Sequence, residues 1–517
     1  MSAVPAPEFD DLAPLQEARA LWQRGEREAA FERFAAAVTQ APRNVRALLE
    51  NARALGQVYR IAAAEELLAR VRSLAGFDER ILPPLVQTFN ELHRPNLAIE
   101  VLEAARNGGR LAPPLLAELA VLYERSNRVD EALAAIEECV HSAPLQPEPR
   151  LILTRLLRRR KDYAGCESLL LDLTSASAPH PLVHVQAWTE LCQLRDDVGD
   201  YTGAWEAIEQ AKQLHRQFPQ AEPMSRRAFA LNETLRQLYE GLDEATFTTW
   251  RDDDLPTDAR CSGVAHLLGF PRTGTTLLEQ CVGAHPGLVD SPERAVFTRD
   301  IFPAMHQLRG ERPLTAEVLR DIPRPRLAQQ RESYLQAFEA IQGEPLAGRV
   351  HLDKNPNHMS LIAGLFRLFP ESRFVVALRD PRDVLVSNYL RHFPLTEFGA
   401  GLLTPGSVCA MYASDMNIWL RVREWLADQS LEVKYEDTVK DLSGQAKRAL
   451  AFLGLPWEDN VLHYREAAQH KVVNSPSHDA VRQPVYTHAA GRWRHYERPL
   501  GAYFERLTPY LRAFGYD

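Results

Sequence analysis

Six cysteines in 517 residues, at positions 139, 166, 192, 261, 281 and 409, form no C-x-x-C pair and no cluster of metal-ligand spacing. Dispersed thiols of this kind, several in helix-like stretches, read as buried free cysteines in a reducing compartment. No apolar run approaches the roughly 20 residues of a membrane span. The stretch Met1–Glu8 has neither a basic start nor an apolar core, so no signal peptide is expected and the cytoplasm is the default location. There is no excess of positive charge either. The net charge of -9 removes any global reason to bind nucleic acid or an anionic membrane, so a polyanion site must be a local cluster. Apolar and charged contents of 45% and 25% are those of a globular protein, and the length calls for at least two domains.

What is there begins with a repeat. Ala30, Ala64, Ala98, Ala132 and Cys166 stand 34 residues apart, and Ala204 follows after 38. Each lies in a similar context, such as Arg27–Phe31, Val129–Leu133 and Tyr201–Trp205. A 34-residue period of paired helices is the tetratricopeptide signature. The small residue lets two helices approach closely. Pro42 and Pro144, each 12 residues further on, end the second helix because proline cannot donate its backbone bond. Gly25, Gly56 and Gly199 are expected at turns. Residues 10–245 are therefore assigned to an all-α superhelical array of the kind that binds peptides or proteins in its groove. The basic run Arg158–Lys161 reads as a solvated helix end.

Trp250–Pro256 is polar, acidic and proline-bearing, as befits a domain junction. Beyond it, strand-like runs (from Val264, Phe374–Leu378, Leu431–Tyr435) alternate with amphipathic stretches, which predicts an α/β domain with a parallel sheet over 258–517. The first run feeds Gly269-Phe270-Pro271-Arg272-Thr273-Gly274-Thr275-Thr276. A tight turn opening a helix is an anion cradle of backbone N–H groups. The two glycines have nucleotide phosphate-loop spacing, but Thr275 occupies the lysine position of that motif. The domain is thus P-loop-like without the P-loop lysine.

The run Phe374–Leu378 leads into Arg379-Asp380-Pro381-Arg382-Asp383, with Ser387 and Arg391 about two and three helical turns beyond Arg379. Ligands of α/β sheets bind at the carboxyl ends of strands. Arg379, Ser387 and Arg391 are placed to meet one phosphate, because a guanidinium donates two bonds at once. The alternative is a helix capped by Asp380 or Asp383 with its arginines in surface ion pairs.

Over roughly residues 260–517 the chain resembles the sulfotransferases that use 3′-phosphoadenosine 5′-phosphosulfate (PAPS), and within them the protein-tyrosine sulfotransferases. Pro271–Leu277 resembles their 5′-phosphosulfate loop, and Arg379–Ser387 their 3′-phosphate motif. The resemblance implies Arg272, Thr273, Gly274, Thr275 and Thr276 as ligands of the phosphosulfate, and Arg379, Ser387 and Arg391 as ligands of the 3′-phosphate. Ser291–Val296 resembles the segment that holds the general base, which implies Glu293; His285 and His351 are the alternatives. Asp353–Pro356 resembles the lysine-bearing segment, which implies Lys354 as transition-state stabiliser. Val433–Asp437 resembles a segment whose tyrosine, here Tyr435, contacts the adenosine. Ser477–Val485 resembles a late nucleotide-covering loop with Ser477 catalytic and Val481 and Arg482 binding, and Arg492 falls at a basic phosphate ligand. Fusion to a repeat array resembles bacterial tetratricopeptide-repeat sulfotransferases.

What this implies is transfer of a sulfuryl group from PAPS to a hydroxyl, with adenosine 3′,5′-bisphosphate as product and no metal. The expected acceptor is a tyrosine of a peptide or protein recognised with the array's help, with neither nucleic acid nor membrane as partner. A carbohydrate or small metabolite is the alternative acceptor. A P-loop kinase and a catalytically dead repeat scaffold are the competing readings. The chemistry suits the residues: negative charge growing on sulfonyl and bridge oxygens calls for fixed cations such as Lys354 and Arg272, with the Ser477 hydroxyl. An attacking hydroxyl calls for a carboxylate base such as Glu293.

Overall fold

A computed structural model describes residues 8–109, 111–175, 180–253, 255, 260–306, 313–464, 466 and 489–517. The small residues of the 34-residue period each occupy the fourth position of a helix. Those helices are Arg27–Gln40, Ile61–Ala75, Pro95–Asn107, Val129–Ser142, Tyr163–Leu173 and Tyr201–Arg216. Ala30, Ala64, Ala98, Ala132, Cys166 and Ala204 are all fully buried, as close helix approach demands. The helices before Pro42 and Pro144 end at Gln40 and Ser142.

The turns keep the same period in the backbone rather than in residue type. Gly25, Tyr59, His93, Asn127, Lys161 and Gly199 all have positive φ, between 58° and 84°. Four of these six are not glycine. Gly56, expected at a turn, lies instead within the helix Val45–Gln57, and Tyr59 takes the left-handed position three residues later.

The chain divides into two compact units. One comprises Met1–Glu124, Arg128–Pro149 and Leu335–Pro345. Within it, Arg94 donates to the carbonyls of Ile341 (2.7 Å) and Ala340 (3.2 Å), holding the end of the helix Arg324–Gln342. The other comprises Arg125–Asn127, Arg150–Tyr334 and Leu346–Asp517, so the helices from Arg150 to Arg251 share a unit with the sheet. In this unit Arg158 of the basic run pairs with Asp197 at 2.8 Å. Trp250 is buried, and Asp253 pairs with Arg367 (2.6 Å) and Arg324 (2.5 Å).

Five parallel strands form the sheet: β1 (Gly263–Gly269), β2 (Leu288–Pro292), β3 (Val350–Lys354), β4 (Arg373–Leu378) and β5 (Ser430–Lys434), in the order β2-β3-β1-β4-β5. β1 pairs with β3 on one side and β4 on the other, so the chain leaves β1 in one direction and β4 in the other. A crevice opens at the carboxyl ends of such a pair. Ser291 and Pro292 end strand β2. Leu267, Leu352, Val375 and Val433 on one face of the sheet pack against Leu277, Leu278 and Cys281 of the helix Thr275–Val282.

Candidate active site

The turn after β1 and the turn after β4 meet at that crevice. Gly274 has φ +94° and precedes Thr275–Val282, a helix with no side-chain N-cap. A Cβ on Gly274 would lie 2.5 Å from the Tyr435 ring, so the turn requires glycine for its backbone and for its neighbour. Arg272 also has positive φ (+76°), a strained setting for a side chain. Its Nε donates to Ser387 Oγ at 3.2 Å, and its carbonyl accepts from Arg379 Nη1 at 3.1 Å. The guanidinium of Arg379 lies 4.7 Å over the Tyr435 ring. Thr273 hydrogen-bonds the Phe270 carbonyl, and Thr275 and Thr276 are buried in the helix's first turn.

The helix Pro381–Tyr389 is capped by Asp380, which accepts from Arg382 N at 2.9 Å. Asp383 is not a cap. It accepts from the backbone N–H groups of Gly491 (2.6 Å) and Trp493 (2.8 Å), fastening the Arg492 segment to this helix. Arg492 pairs with Asp196, whose carboxylate also accepts from Tyr496 OH. Burial, and then the guanidiniums of Arg391, Arg379 and Arg492, push the pKa of Arg272 well below that of a free arginine. A guanidinium stays charged near neutrality, so Arg272 is a buried cation with three other guanidiniums acting on it, and a polyanion would relieve that repulsion.

A second cluster lies at the ends of β2 and β3. The Nζ of Lys354 is 2.7 Å from Glu293 Oε1 and 3.2 Å from Glu279 Oε2. The side chains of Lys354 and Glu279 are fully buried, while that of Glu293 is 28% exposed. Glu293 has φ +44°, and its N–H donates to the Lys354 carbonyl at 2.7 Å. Burial lowers the pKa of Lys354, but the charges of Glu279 and Glu293 more than offset it, and the value ends above the ordinary one. Burial raises the pKa of Glu279, and the Lys354 ammonium 3.2 Å away opposes that by favouring the ionised carboxylate, in keeping with the raised pKa of the lysine.

His285 sits away from this cluster, bonded to the Pro456 carbonyl at 2.9 Å. His351 is fully buried beside Tyr334, and burial pushes it down to about 3. Ser477, Val481 and Arg482 lie outside the described residues. Glu279, Asp383 and Asp196 are contributors that the motif reading missed. Glu279 was findable in principle, since it is one helical turn from Thr275 and is the charged residue of the segment Thr275–Val282.

Residues 266–459 match the Sulfotransferase family. The C-terminal part of this chain carries a sulfotransferase family domain. Protein-tyrosine sulfotransferase 1 of Danio rerio is 28% identical over 279 residues, covering 48% of this chain and 71% of its own length. An uncharacterized protein of Aquifex aeolicus is 27% identical over 248 residues, covering 47% of this chain and 32% of its own length. The chain thus spans about a third of the one relative and about seven tenths of the other. Among solved structures, the sulfotransferase domain from the Synechococcus PCC 7002 olefin synthase aligns at 22% identity with a TM-score of 0.34, covering 46% of this chain and 90% of that domain. Among the described residues no group of three metal-ligating side chains occurs, and no helix is long and apolar enough to cross a membrane.

Proposed function

We propose that this protein transfers a sulfuryl group from PAPS to a hydroxyl, and that the acceptor is a tyrosine of a peptide or protein. The observation that carries the reading is the contact between Arg272 and Ser387, which joins the two nucleotide-type motifs into one cationic crevice. The donor set fits a nucleotide with phosphate groups at two positions. Arg272 and the helix start at Thr273–Thr276 would hold the phosphosulfate; Arg379, Ser387, Arg391 and Arg492 would hold the 3′-phosphate; Tyr435 would meet the adenosine. The buried Nε of Arg379 has no hydrogen-bond partner among the described residues, as expected of a group awaiting an anion.

In this reading Glu293, at the exposed edge of its cluster, accepts the proton of the attacking hydroxyl. Lys354 stabilises charge on the departing oxygen. A phenol, with a pKa of about 10, is easier for a carboxylate to deprotonate than an aliphatic alcohol, and the likeness to a protein-tyrosine sulfotransferase supports the same choice. Ser477 is proposed as a further catalytic hydroxyl, with Val481 and Arg482 in a nucleotide-covering loop. The array over residues 10–245 is read as tetratricopeptide repeats that help recognise the acceptor, and 258–517 as the transferase. Six free cysteines suit a reducing, cytoplasmic setting.

The test is incubation of the purified chain with sulfur-labelled PAPS and a panel of tyrosine peptides, phenols and glycans, read by mass spectrometry. Labelled tyrosine that disappears with Glu293→Ala, while adenosine 3′,5′-bisphosphate binding persists, is the expected result. Failure of the wild type to bind that nucleotide would overturn the donor; transfer to glycans alone would overturn the acceptor.

A further inference from the structure

A buried ammonium held by two carboxylates has one more than the active site's simplest chemistry uses. Glu293 stands at the edge and is available to a substrate; Glu279 is fully buried. Apart from its ion pair with Lys354, neither oxygen of Glu279 has a hydrogen-bond partner among the described residues. An isolated buried carboxylate is destabilising, so the lysine and Glu279 each need the other. The charged groups acting on this pair are Asp290 on β2, Glu293 just after it, and Asp353, which neighbours the lysine on β3 but bonds Tyr334 on the opposite face; Arg272 interacts with Glu293.

We propose that Glu279 is a positioning residue that keeps Lys354 in place and protonated during the transfer step. The inference rests on the sulfuryl-transfer reading of the site. As the acceptor oxygen forms its bond to sulfur, its proton passes to Glu293. The sulfur–oxygen bond of the donor breaks, and its electron pair stays on the phosphate oxygen of the leaving nucleotide. At that moment Glu293 becomes neutral and ceases to attract Lys354. Glu279, 3.2 Å from the ammonium, then remains the carboxylate in contact with it and holds it where the leaving oxygen gains charge. Without it, the desolvated lysine loses its proton at lower pH and swings free.

The test compares wild type, Glu279→Gln and Glu279→Asp, using whichever hydroxyl acceptor turns over with PAPS in the panel above. Glu279→Gln is expected to bind adenosine 3′,5′-bisphosphate as wild type does while kcat falls about 100-fold. The alkaline limb of its kcat profile should move down by about one pH unit, and Glu279→Asp should restore part of both. A wild-type alkaline limb in Glu279→Gln, whatever its kcat, would overturn the proposal. So would loss of nucleotide binding in both variants, which would make Glu279 a structural residue. Absence of nucleotide binding or turnover in the wild type would instead strike the transfer reading itself.

Discussion

The Nε of Arg272 lies 3.2 Å from the Oγ of Ser387, two side chains 115 residues apart in sequence. The turn after β1 and the helix after β4 therefore grip one region of space. Arg272→Ala should weaken binding of adenosine 3′,5′-bisphosphate about 10- to 100-fold, the usual range for losing a charged phosphate contact. Arg272→Lys should recover only part, since an ammonium lacks the planar fork. Calorimetric titration of the three proteins decides the matter, and equal affinities would dissolve the link between the two motifs.

The left-handed turn residues make a different claim, about stability. Lys161 has φ +61°, and its N–H still closes the turn by donating to the Arg158 carbonyl at 2.9 Å. A non-glycine residue there is strained by roughly 1–2 kcal/mol. Lys161→Gly keeps the backbone bond and removes the strain, though it frees the unfolded chain. A net gain of about 0.5–1 kcal/mol is expected, read as a higher urea midpoint at unchanged slope. A loss would mean that the side chain itself supports the turn.

His266 gives a pH dependence. It is fully buried on β1, stacked on Phe374 with centroids 5.4 Å apart, and neither ring nitrogen has a hydrogen-bond partner among the described residues. Burial first, then the fields of His358 and His351, hold its pKa well below 6.5. The unfolded chain therefore takes up a proton near pH 6.5 that the folded state refuses. Its contribution to stability is full above that value and is lost as pH falls. His266→Phe should remove this dependence. The stability of the variant relative to wild type should rise by about 1.4 kcal/mol per pH unit between pH 6 and 4. Denaturant titrations at pH 7, 6, 5 and 4 provide the measurement, and parallel profiles would count against a neutral buried imidazole.

The strand–turn–helix order of the two phosphate-type motifs was legible because each is contiguous. β1, β4 and β5 were legible as apolar or strand-forming runs. β2 and β3 were not, because Asp290, Ser291 and Pro292 on one, and His351, Asp353 and Lys354 on the other, break the apolar run that marks a buried strand. Tertiary burial overrides that pattern: His351, Asp353 and Lys354 are all fully buried, and Tyr334 from a distant helix donates to Asp353 at 2.9 Å. The repeat was legible from its small residues, and two of its turns from Gly25 and Gly199; the other four were not, because tyrosine, histidine, asparagine or lysine fills the left-handed backbone position there. Asp196 was beyond reach for a simpler reason. Its partner Arg492 lies 296 residues further along the chain.

That long-range pair bears on where the sulfotransferase family domain begins. Asp196 lies in the last turn of the helix Pro181–Asp197 and holds both Arg492 and Tyr496. Gln193 on the same helix donates to the Leu390 carbonyl at 2.6 Å, and Lys212 on the next donates to the carbonyl of Arg391 at 3.0 Å. These contacts fall on the segments that carry Ser387, Arg391 and Arg492. A fragment starting at residue 258 would lose all of them and leave Arg492 and Tyr496 without their carboxylate. Breaking such a pair costs about 3–5 kcal/mol, a large share of a domain's stability of about 5–15 kcal/mol. A fragment of residues 150–517 keeps the pair, and should show the higher melting temperature and the tighter nucleotide binding of the two. Asp196→Ala in the full chain should reproduce most of the loss. If the 258–517 fragment melts and binds like the longer one, the hairpin Pro181–Arg216 is only an attachment, and the nucleotide site is complete without it.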